Sequence, residues 1–134
     1  MRVATIMKTG TRYCRGDNKL LFHRTGKALL QRLAKELGLP KGSYEVRSNY
    51  GGMAVSGEVT LHTGPIQQSG LGLYVQIADY SGAGTLLFRV CAGPTDYIGG
   101  RNHFGWVEEI EDHLPEFAEK MQALAGVTAE LQWY

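Results

Sequence analysis

The chain predicts an α+β fold of two layers: a mainly antiparallel sheet of four to six strands with two main helices packed on one face. Three observations carry that expectation. An apolar stripe at helical spacing runs through residues 29–37, and a second runs from Val107 to Leu124. Between them the apolar period switches to two over four segments separated by glycine-bearing turns. At 134 residues the chain suits a single domain and is long enough to bury a sizeable core.

Residues 1–7 alternate weakly and read as a first strand, and TRYCRGDN (11–18) reads as a turn. The segment from Leu20 to Gly38 contains a helix, because Leu29, Leu30, Leu33 and Leu37 fall on one stripe. Gly38 suits the position after a helix end, and Pro40 blocks continuation. The opposite side is basic, with Arg24, Lys27, Gln31 and Lys35, and Arg32 nearby.

SYEVRSN (43–49) and MAVSGEVTLH (53–62) flank Tyr50-Gly51-Gly52, a hairpin signal, and LGLYVQIAD (71–79) and GTLLFRVCA (84–92) flank a second turn. In the second segment Met53, Val55, Val59 and Leu61 share one face, and Ser56, Glu58, Thr60 and His62 the other. Leu71, Leu73, Val75 and Ile77 point inward in the third, with Tyr74 and Gln76 outward. The fourth puts Leu86, Phe88 and Val90 inward and Leu87, Arg89 and Cys91 outward. One buried face and one wet face is the pattern of an antiparallel sheet.

The last helix runs from about Phe104 to Leu124 on Val107, Ile110, Leu114, Phe117, Met121 and Leu124. Pro115 inside it removes a ladder bond, so a kink or split is expected near His113. Gly126 is expected to end the helix and VTAELQWY to form a final edge strand.

Composition excludes several classes. Hydrophobic residues make up 43% and charged residues 20%, as in soluble globular proteins. No apolar run approaches the ~20 residues of a membrane span, and MRVATIMKTG lacks a signal-peptide core. The expected location is therefore cytoplasmic, with no membrane partner, and Cys14 and Cys91 are expected as free thiols. A net charge of +1 gives no overall pull toward nucleic acid. His23, His62, His103 and His113 show no zinc-motif spacing, so no metal or other cofactor is expected.

Three functions remain. The leading one is a non-enzymatic binding or accessory protein that contacts another macromolecule, most readily a protein, because no catalytic motif is present and the basic helix contrasts with an acidic one. The acidic helix carries Glu108, Glu109, Glu111, Asp112, Glu116 and Glu119. An alternative is a cysteine-dependent hydrolase using Cys14 and His62, whose chain order loosely follows papain-like enzymes. The other is weak nucleic-acid binding through Arg24, Lys27, Arg32 and Lys35. Here the order of elements resembles the double-stranded-RNA-binding fold, but the acidic last helix departs from that family's basic cluster.

The stretches VRSNYGGMAVSGEVTLHT (46–63) and RVCAGPTDYIGGRNHF (89–104) are similar to small proteins of bacterial plasmids and prophages. The resemblance implies a mobile-element setting and assigns no residue a role. The glycine-rich segment 91–106 is expected to connect a strand to a helix, with Tyr97, Phe104 and Trp106 folding back onto the protein. The best-placed ligand- or partner-binding corner is Arg89 and Cys91 at a strand end beside Arg101, Asn102 and His103 near a helix start.

Overall fold

The computed structural model describes residues 2–7, 17–50, 57–66, 70–78, 84–91 and 101–130. The architecture is α+β, with one open five-stranded antiparallel sheet in the order β1-β2-β3-β4-β5. The strands are β1 (Tyr44–Asn49), β2 (Glu58–Thr63), β3 (Gly72–Ala78), β4 (Thr85–Cys91) and β5 (His103–Trp106). The helices are α1 (Val3–Ile6), α2 (Asp17–Glu36), α3 (Val107–Asp112) and α4 (Leu114–Glu130). No helix among the described residues is long and apolar enough to cross a membrane.

The apolar parities anticipated for the central strands are those observed. Val59, Leu61, Leu73, Val75, Ile77, Leu86 and Phe88 form one core with Phe22, Leu29, Leu30 and Leu33 of α2 and with Val107, Ile110, Phe117 and Met121 of α3 and α4. Helix α2 lies over β1 and β2, and α4 over β3 and β4. The residues expected at 53, 55 and 56 of the second strand lie outside the described residues.

Helix α2 ends as its glycine suggests. Gly38 sits at φ 72°, where a side chain would be strained, and the Leu39 N–H donates to the Ala34 carbonyl at 3.1 Å. Leu39 then packs against the core. The break at Pro115 is a split: α3 stops at Asp112, His113 leaves helical geometry at φ −135° and ψ 49°, and α4 restarts at Leu114. Pro115 thus stands in a first helical turn, where its missing N–H costs nothing.

Four expectations are corrected. Residues 3–6 are helical, not a strand, because the Glu111 side chain of α3 accepts the Val3 and Ala4 N–H groups at 2.7 and 2.9 Å. This carboxylate satisfies the first turn of a helix too short to sustain itself. The last helix was expected to open at about Phe104; residues 103–106 are instead an edge strand paired with β4 from Thr85↔Trp106 to Phe88↔His103. Helix α4 runs through Gly126 to Glu130, which leaves 127–130 helical where a final strand was expected. A mid-helix glycine costs only ~1 kcal/mol, and the buried Met121 and Ala125 on the same helix more than offset it.

The fourth correction concerns the outer face of the sheet, expected to be wet. Thr60, His62, Tyr74 and Gln76 are only 4–8% exposed. The face at these four positions is therefore polar and largely closed to water.

Candidate functional site

Three surfaces carry the chemistry-bearing residues: the outer sheet face, the β5 edge and the exposed side of α2.

On the outer face the ladder sets Glu45, His62, Tyr74 and Arg89 in one row, and Arg47, Thr60, Gln76, Leu87 and Phe104 in the next. The Arg47 guanidinium grips the Glu45 carboxylate with two contacts, 2.9 and 3.1 Å long. That hydrogen bond holds the Glu45 carboxyl below the ordinary carboxylate value. His62 Nε2 meets the Thr60 hydroxyl at 2.9 Å, and its ring meets the Tyr74 ring edge-on with centroids 5.1 Å apart. Gln76 donates to the Glu58 carboxylate, which also accepts from Asn49 at 3.5 Å.

Burial is the main cause that pushes the His62 imidazole below its ordinary value, and the Arg47 charge adds to it against Glu45 and Glu58. Arg89 spreads over the Tyr74 ring, 5.2 Å from its centroid, as a cation–π pair. Its Nε is buried, and no described group lies within hydrogen-bond reach of that atom. This network knits four strands together on a face where sequence alternation shows only polar character.

The corner anticipated from the sequence does not form one constellation. Arg89 and Cys91 project to the outer face, and Cys91 is 1% exposed. His103 lies opposite Phe88 and stacks on its ring at 5.5 Å and 13°, which places it on the helix-facing side. Burial, with Arg101 and Lys120 nearby, pushes its imidazole below the ordinary value. Arg101 and Asn102 are exposed just ahead of β5. The expected pairing of Cys14 with His62 involves a residue, Cys14, that lies outside the described residues. Among the described residues no group of three His, Cys, Asp or Glu could hold a metal ion.

The β5 edge shows what the sequence reading placed differently. Phe104 and Trp106 do not fold back; they stay 61% and 56% exposed. Two residues apart on one strand, they share the outer face, with Leu87 directly across from Phe104. The backbone between them is fixed. Glu109 accepts the Trp106 N–H at 2.8 Å and is itself held by Lys120 at 3.2 Å. Gly105 leaves the space this carboxylate fills, since a Cβ there would come within 2.5 Å of it. The spacing of Phe104 and Trp106 was a readable signal for a strand, obscured by the glycine between them.

The basic side of α2 divides in two. Arg24 and Lys27 line an open groove with Tyr50, while Arg32 lines another with Arg2, Glu111 and Asp112. Lys35 is exposed on the Arg24 side of the helix by its spacing. No protein-family model, curated protein or solved structure matches the chain.

Proposed function

We propose that this chain is a cytoplasmic, non-enzymatic binding protein that works by contact with another protein through the β5 edge. The observation that carries the reading is the pair of exposed rings, Phe104 and Trp106, side by side on a rigid edge strand. Each such side chain can bury ~150–250 Å², and both are more than half open. Covering them returns on the order of 5 kcal/mol. Aromatic anchors on a preorganised backbone are the usual centre of a protein interface.

The edge suits an extended partner segment as well. Among the described residues no strand pairs with the outer side of β5. A partner strand can add there, with main-chain bonds supplying affinity and the two rings supplying specificity.

The test is affinity capture from a bacterial lysate by the native chain and by a Phe104→Ser/Trp106→Ser variant. Both positions are exposed, so the variant should keep its stability to within about 0.5 kcal/mol. The reading expects a protein that the native chain retains and the variant releases. Equal retention by both, or no retention together with turnover in a broad hydrolase screen, would overturn it.

A further inference from the structure

The groove on α2 is a second surface, far from β5 in sequence and unlike it in chemistry. It is open, about 520 Å³ in volume, and lined by Leu20, Arg24, Lys27, Ala28, Gln31 and Tyr50. Among the described residues no carboxylate lines it, and none pairs with Arg24 or Lys27. Arg32, one helical face away, instead shares its surroundings with Glu111 and Asp112. Positive potential is therefore concentrated on the Arg24 side.

Tyr50 gives this patch its second property. The residue is 48% exposed, and its ring rests on the His23 ring with centroids 4.0 Å apart and planes tilted by 30°. His23 is itself 1% exposed, and its Nδ1 hydrogen-bonds the Ser48 hydroxyl. The backbone closes tightly behind it: Gly57, at φ 78°, could carry no Cβ without meeting the Asn49 carbonyl at 2.1 Å and His23 Nε2 at 3.0 Å. An aromatic surface is thus held in place before any ligand arrives, beside two cations that pair with no carboxylate among the described residues.

We propose that this groove binds single-stranded nucleic acid, with a base stacked on Tyr50 and neighbouring phosphates on Arg24 and Lys27. Stacking on an exposed ring combined with a basic track is the general mode of single-strand binding. A duplex keeps its bases paired and offers none to Tyr50. It is also wide enough to approach the acidic α3 and α4 surface. A free nucleotide would remain mostly in water in so open a groove, whereas a strand passes along it. Arg24 to Lys35 spans roughly 16 Å of helix at ~1.5 Å per residue, room for a few nucleotides.

Fluorescence anisotropy of a labelled oligothymidylate, alone and as its duplex with oligoadenylate, tests this with the full chain. At low salt the single strand should bind and the duplex should bind more weakly. The log–log salt slope should be about −2, for roughly three phosphates at ~0.7 each. Tyr50→Ala should weaken binding about tenfold, and Tyr50→Phe, which keeps the ring, should restore it. Arg24→Glu with Lys27→Glu, the first at an exposed and the second at a half-buried position, should abolish binding while melting stays cooperative. Arg32→Glu should cost far less, and Phe104→Ser/Trp106→Ser should leave the affinity unchanged. No binding at low salt, a Tyr50→Ala variant that binds like the native chain, or duplex binding as tight as single-strand binding would each overturn the proposal. A failed lysate capture leaves this result untouched, so the two surfaces are judged separately.

Discussion

The two faces of the central sheet are almost equally buried and held by different physics. On the helix side, Leu61, Leu73, Val75, Ile77 and Phe88 are 0–2% exposed against α2 and α4. On the outer side, Thr60, His62, Tyr74 and Gln76 are 4–8% exposed, yet each makes a directional contact: hydroxyl to imidazole, ring to ring, guanidinium over ring, amide to carboxylate. Area removed from water stabilises the first face whatever the details of orientation. Geometry stabilises the second, because an unmade bond there leaves a desolvated polar group. The first face should therefore govern stability and the second register, since a slip of one residue exchanges the two sets.

The largest effect should follow from Phe88→Ala. Phe88 meets Phe117 edge-on at 5.7 Å, stacks on His103 and carries Lys120 5.3 Å above its ring. Truncation removes the transfer free energy of the ring and leaves a cavity, a cost of about 3–5 kcal/mol. Denaturant unfolding should show it as a lower midpoint. A loss under about 1 kcal/mol would mean that the helical layer collapses onto the gap and that the inner face is not a fixed jigsaw.

Gln76→Leu probes the outer face at nearly constant volume. The substitution takes away the amide that donates to Glu58 and leaves that carboxylate, among the described residues, only the long 3.5 Å contact from Asn49. A loss of about 1–2 kcal/mol is expected, smaller than that of Phe88→Ala because Glu58 is half-exposed and water can replace part of the bond. A gain in stability would show that area burial governs this face as well, and the contrast between the faces would collapse.

This contrast also explains what the sequence made visible. Period-two apolarity reports the helix-side face directly, so the parities of Val59, Leu73 and Phe88 and the Leu29–Leu37 stripe were readable from one chain. Pro115 marked the division between α3 and α4 for an equally local reason. The elements that escaped are those set by distant partners. Helix α1 depends on a carboxylate more than a hundred positions away, between Val3 or Ala4 and Glu111. Strand β5 has four residues and exists because β4 offers it an edge. The closed polar face fails to show for the same reason: Glu45, His62, Tyr74 and Arg89 come from four strands and meet only in the ladder. Of the anticipated corner, the sequence placed Arg89 and Cys91 on the right face. It could not show that pairing with Phe88 turns His103 to the other.

The smallest of the three effects uses that division, because each face carries one imidazole held below the ordinary value of 6.5, His62 outside and His103 inside. For His62, burial is the first cause and the Arg47 charge the second, with Glu45 and Glu58 opposing; Tyr74 packs against the ring, and Arg89 lies beyond Tyr74 in the same row. A depressed imidazole is neutral in the native state over a range where the unfolded chain already binds a proton. Its contribution is therefore complete above the unfolded value and is lost as pH falls through the native one. Melting temperature should decline from about pH 7.5 to about pH 5 in the native chain. His62→Gln, whose amide can still reach the Thr60 hydroxyl, should flatten part of that decline, and His103→Gln a further part. An acid slope unchanged in His62→Gln but removed in His103→Gln would show that the outer face admits enough water to charge its histidine freely. That outcome would reduce its burial to a matter of crowded side chains and leave the inner face alone in excluding solvent.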